Sequence, residues 1–197
     1  MHIKLNALQA YSNSQLFEQK EYRVPINVIA TPTKISWSNF SVVPQKIPDP
    51  NDGTLVDAVT AFNFDVPGLP PRSVDGGFMM ADPNTIRITP NARVFNGVAQ
   101  TAELLLHEQF HYDVGVATAR SLARHMMKLK AATKHELMGA FQTIAKLHLY
   151  TRARLIQKRY DVETEHGTKW HFQKIWIARM KSVLANPRSV KIGGYWL

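Results

Sequence analysis

His107, Glu108 and His111 stand in the segment HEQFH, an HExxH spacing. Residues four apart on a helix share a face, so both imidazoles would point to one place and could grip a single zinc ion. Glu108, beside the first histidine, could reach a water on that metal as general base. Chance gives this pattern in about one in a hundred sequences of such composition. Leu104, Leu105 and Leu106 precede it and would bury the helix, keeping the site dry. The chain has no cysteine, which excludes disulfides, thiolate metal sites and thiol catalysis. Any metal must be held by His, Asp or Glu.

A catalytic zinc takes three protein ligands and keeps one position open. The segment from Tyr160 to Gly167, YDVETEHG, is the best source of the third, because it gathers three carboxylates and a histidine between two helical patterns. His166 is the first choice: it is neutral at pH 7, and Gly167 after it frees the turn. Glu163 and Asp161 are the alternative ligands, with Asp161 better placed to accept a hydrogen bond from a ligating imidazole than to reach the metal itself. Asp113 is off the ligand face; it could orient a neighbour or serve structure, for instance by pairing Arg120. His125, His135, His148 and His171 lie among lysines and arginines and read as exposed.

The elements that must position these groups change character near residue 98. Before it, strand-like alternation dominates: Val24 to Ala30, Ile35 to Val43, Val56 to Val66, Phe78 to Ala81, and Thr85 to Thr89 after the Asp82-Pro83-Asn84 turn. PQKIPDPNDG and PGLPPRSVDGG read as loops. After Gly97 the period becomes helical. One helix spans Val98 to about Leu129. A second runs from Lys134 to Tyr160, with Thr133 and Glu136 forming a capping box. A third follows Thr168 and ends near Ala185, before Asn186-Pro187. The tail SVKIGGYWL reads as a strand or docking arm, with Trp196 packed on something.

The segment HEQFHYDVGVATAR resembles the HEQxHFDIxxxxAR signature of a bacterial family of uncharacterised predicted zinc peptidases, DUF922. ISWSNF is similar to that family's N-terminal WsdF strand. YDVETEHG, followed by Gln173 and Trp176, resembles its YDxxTxHGxxxxxQxxW segment. The likeness covers roughly residues 35 to 180. It departs at Tyr112, where Phe is usual, and at Val114-Gly115, where Ile-Ala is usual. It implies a zinc peptidase without naming a substrate, and raises the weight of Asp161 and His166 as site residues.

The expected architecture is a single α+β, zincin-like domain over residues 1–197: mainly β over 1–97, helical over 98–185, and a tail over 186–197. A mostly antiparallel N-terminal sheet packs on the HExxH helix, and two further C-terminal helices return the third ligand. The expected function is zinc-dependent peptide-bond hydrolysis with Glu108 as general base. The substrate is a peptide or protein, added as a strand to a sheet edge near Thr85 to Thr89. The alternative is a peptidase-fold protein serving as a binding or structural part of an assembly, through its C-terminal tail. No apolar run is long enough to span a membrane. The N-terminus has no secretory signal pattern, so the expected location is cytoplasmic. The net charge of +9 is dense between Arg120 and Arg159. Without a nucleic-acid module or interleaved aromatics, it reads as a solvated helical face rather than a nucleic-acid surface.

Overall fold

A computed structural model of the chain describes residues 29–30, 34–65, 71–80 and 86–197. Residues 24–28 of the expected first strand, the Asp82-Pro83-Asn84 turn and Thr85 lie outside the described residues. The strands are β1 (Ile29–Ala30), β2 (Phe40–Val43), β3 (Ile47–Pro48), β4 (Leu55–Val56), β5 (Ala58–Asp65), β6 (Arg72–Val74), β7 (Gly77–Met79), β8 (Arg87–Phe95), β9 (Lys130–Ala131), β10 (Lys191–Ile192) and β11 (Tyr195–Trp196). The helices are α1 (Ala102–Met126), α2 (Lys134–Lys146), α3 (Ala153–Thr164) and α4 (Trp170–Ala185), an α+β arrangement as expected.

The main sheet is mixed rather than mostly antiparallel. Its central strand, β8, is parallel to β1 and β2 along one edge and antiparallel to all of β5 along the other. Three small antiparallel units are separate from it: β3 with β4, β6 with β7 and β9, and β10 with β11. Residues 87–89 are therefore central, and they cannot offer the edge expected there. The outer edge of β5 carries no strand among the described residues. Trp37–Asn39, expected within a strand, form a single 3-10 turn before β2.

Helix α1 begins where Thr101 accepts a hydrogen bond from Leu104 N at 3.1 Å. It lies between two apolar clusters. Tyr112, Val116, Ala119, Leu122, Ala123 and Met126 face the sheet with Ile86, Ile88 and Val94. Phe110, Val114 and Ala117 face Ile156, Tyr160, Trp176 and Met180. Gly115 decides how closely β5 can approach: a Cβ there would sit 2.5 Å from the Phe62 ring.

The second helix runs past its expected end. The capping box forms, with Glu136 N donating to Thr133 Oγ1 at 3.2 Å and Thr133 N to Glu136 at 3.0 Å. From α2 the chain passes through a π-helical stretch, Leu147–Arg152, directly into α3. Tyr160 is inside α3, and the helix stops only after Thr164, where Glu165, His166 and Gly167 all take positive φ. Lys169 rather than Thr168 precedes α4, with no side-chain cap.

The tail forms a hairpin turning at Gly193-Gly194, both at positive φ as a two-residue turn requires. It docks through Ile192 and Leu197, both buried, while Trp196 is exposed and its ring faces Lys191. Part of the basic run is spent on this docking. Arg120 donates to Leu184 O, Arg124 to Pro187 O and Ser189 O, and Arg152 to Leu197 O.

His148, expected exposed, is fully buried beside His125 and Arg152. Burial, reinforced by the Arg152 charge, pushes its imidazole down to about 3. The unfolded chain takes up this proton below about pH 6.5 and the folded chain does not. Stability present above that pH is therefore lost as pH falls towards 3, at a limiting slope of about 1.4 kcal/mol per unit. In His148→Gln, the drop in urea midpoint between about pH 7 and about pH 4.5 should be shallower than in the wild type. Equal drops would show that His148 is not the source.

Candidate metal centre

The site lies where three elements converge. Helix α1 brings His107, Glu108 and His111; the last turn of α3 brings Asp161; the loop between β3 and β4 closes one side. His107, Glu108, His111 and Asp161 are all buried, none above 6% exposed. Tyr160 helps to fix the imidazoles, its ring stacking on His107 at 4.7 Å and meeting His111 edge-on at 5.4 Å.

Three atoms converge here. His107 Nε2 and His111 Nε2 are 3.2 Å apart, and Asp161 Oδ1 is 3.3 Å from the first and 3.0 Å from the second. Ligands held at about 2.0–2.1 Å around a tetrahedral zinc are separated by about 3.3 Å. The triangle thus has nearly the size of one face of a zinc coordination shell. The donor set, two imidazoles and one carboxylate, is also one that zinc takes in catalytic sites. Among the described residues, these three form one of two His/Asp groups that could hold a metal ion.

The electrostatics fit a cation. Burial opposes a charged His111, but Asp161 and then Glu108 override it and raise the imidazole to about 9. Burial likewise opposes ionised Asp161, yet His111 and His107 hold it well below the usual carboxylate range. A metal entering here displaces a proton, because its imidazole ligands must be neutral. Glu108 Oε2 is buried without a hydrogen-bond partner, and Glu108 lines the adjoining cleft of about 180 Å³.

His166, the expected third ligand, does not join the two motif histidines. Its ring nitrogens face Asp49 Oδ2 at 3.6 Å and Asp52 Oδ2 at 3.5 Å, outside the His107–His111–Asp161 group. The cause is the helix end. Because α3 continues through Thr164, Asp161 remains on the buried face, and the left-handed turn at 165–167 carries His166 to the cleft wall. His166, Asp49 and Asp161 make the second His/Asp group. Asp161 instead shares one possible metal-holding group with both motif histidines, and its Oδ2 accepts from Asn51 Nδ2 at 3.2 Å.

Glu163 faces elsewhere, accepting from Trp176 Nε1 at 2.6 Å and Arg159 at 2.7 Å. Asp113 accepts from Gln109 Nε2 at 2.8 Å, and Gln109 Oε1 accepts from Ile35 N at 2.8 Å, so it braces α1 against the β side and not an imidazole. Burial raises the Asp113 carboxyl to about 7. Sequence reasoning missed Gln157, whose Oε1 is 3.2 Å from His111 Nδ1, and the Asp49–Thr54 loop. Gln157 stands four residues before Asp161, a spacing that could have pointed to it.

The cleft continues into a groove of about 1000 Å³ between β5 and the helix carrying Asp161. Ala58, Val59 and Thr60 line the cleft, and Thr60 to Phe64 line the groove, opposite Tyr150, Arg154, Leu155 and Lys158. The β5 edge thus runs beside the His107–His111–Asp161 cluster. No family model, curated protein or solved structure matches this chain, so its likeness to the peptidase signature rests on the motif segments themselves.

Proposed function

We propose that this chain is a zincin-like, zinc-dependent hydrolase of peptide bonds. The observation that carries the reading is the triangle of His107, His111 and Asp161 with the unpartnered Glu108 carboxylate beside it. These three side chains would hold the zinc, which supplies a Lewis acid for the scissile carbonyl and acidifies water towards neutral pH. Glu108 takes the proton of the attacking water on its carboxylate and delivers it to the leaving amine. Substrate binding is assigned to the outer edge of β5, where an extended peptide can add as a strand through main-chain hydrogen bonds. The groove beyond Thr60 would receive side chains on one side of the cleaved bond. The assembly-component alternative is weakened because Ile192 and Leu197 of the tail are buried in the chain's own core.

Removal of metal tests this. Dipicolinate-treated protein should lose hydrolysis of fluorescein-labelled casein, and about one equivalent of zinc should restore it. Undiminished hydrolysis by protein shown to be metal-free would sink the proposal.

A further inference from the structure

We infer that Gln157 and Gln173 are paired positioning residues, each accepting the Nδ1 proton of one motif histidine and so fixing its metal-binding tautomer. The inference rests on the metal reading above. An imidazole that holds a metal through Nε2 carries its proton on Nδ1, and that N–H needs an acceptor to hold the ring in place.

For His111 the acceptor is in contact: Gln157 Oε1 lies 3.2 Å from Nδ1. The amide is oriented by its other end, since Gln157 Nε2 donates to Ala153 O at 3.4 Å. For His107 the matching parts are present but not joined. Its Nδ1 is buried without a partner, and so is Gln173 Oε1. Gln173 is fully buried, and its Nε2 donates to Glu103 O at 2.9 Å, one turn before His107 on α1. That bond makes the oxygen the outward end of the amide, as in Gln157.

Gly167 lies close to both orphaned atoms. A Cβ on Gly167 would lie 3.1 Å from His107 Nδ1 and 3.1 Å from Gln173 Oε1. The glycine, held at φ +89°, leaves that space open. A buried donor without an acceptor and a buried acceptor without a donor are each costly, and here they are complementary. One bridging water, or a torsion of the Gln173 amide, would satisfy both. Both partners are neutral amides, so Asp161 remains the one anionic group among the proposed ligands and their Nδ1 acceptors.

A merely structural Gln173 would act through its donor to Glu103 O, tying α4 to α1. Two variants separate the roles, because Gln173→Met loses donor and acceptor while Gln173→Glu loses the amide donor and keeps an acceptor. Zinc affinity is read by competition with a chromophoric chelator. Gln173→Met and Gln157→Met should each weaken zinc about 10- to 100-fold, and Gln173→Glu should stay near wild type. If Gln173→Met and Gln173→Glu weaken zinc equally, or neither does, the inference is overturned.

Should Gln173→Met fail to fold, nitrogen-15 NMR of the zinc-loaded wild type decides. His107 Nδ1 should carry a slowly exchanging proton close to the Gln173 side chain; an unprotonated or freely exchanging Nδ1 overturns the inference. A wild type that binds no zinc, or a His107→Ala variant that binds it equally well, overturns the metal reading and this inference with it. That result is distinct from zinc-binding protein that ignores Gln173.

Discussion

Asp161→Asn should strip the site of stoichiometric zinc, whereas His166→Ala should leave it loaded. Asparagine preserves the shape at the end of α3 but removes the anion that stands 3.0 and 3.3 Å from the two imidazole nitrogens. Losing a direct ligand should weaken zinc by more than the roughly 10- to 100-fold that outer partners are worth. His166 touches Asp49 and Asp52 and neither motif imidazole, so its truncation costs the loop between β3 and β4 a contact and the metal none. Elemental analysis of both variants after gel filtration checks this. Full zinc in Asp161→Asn with none in His166→Ala would return the third ligand to His166.

Glu108→Gln should keep the metal and lose nearly all hydrolysis. The amide has the size and helix preference of the acid, and Glu108 is not among the three converging ligand atoms, so zinc content should equal that of the wild type. It cannot take a proton from water. A loss of about 10²–10⁴-fold in kcat on labelled casein is expected, the range usual for a general base. A zinc-loaded Glu108→Gln protein cleaving casein at the wild-type rate would exclude Glu108 from the proton transfer.

The contrast between His166 and Asp161 shows what the sequence disclosed of the site. HExxH carries its geometry in its spacing, so His107, Glu108 and His111 could be placed on one face without knowing the fold. The third position depended on where a helix ends. The polar run after Tyr160 resembles a loop in composition, yet the buried series Ala153, Ile156, Tyr160 and Thr164 keeps helical spacing through it. Following that series one turn further would have put Asp161 on the inner face. The edge strand was hidden for another reason. Phe62 and Phe64 marked β5 as a strand, but only its pairing with β8 shows which side is left over, and pairing is not local in sequence. Gln173 stands out only within the resemblance and Gln157 only by its spacing from Asp161; which imidazoles they meet is not local in sequence.

The π-helical stretch at Leu147–Arg152 separates two apolar stripes whose phases differ by one residue. Upstream, Leu137, Phe141, Ile144 and His148 follow helical steps; downstream, the series restarts at Leu149 and runs through Ala153, Ile156 and Tyr160. In a regular helix an added residue would rotate everything beyond it by about 100° and swing Asp161 away from the two histidines. A π turn absorbs such an addition locally. The stretch therefore acts as a phase reset, which leaves the helix two separately adjustable halves: one fitted to the sheet-side core, the other to the two motif histidines. Removing the exposed Tyr150 should therefore be better tolerated than removing any single residue between Ala153 and Asp161.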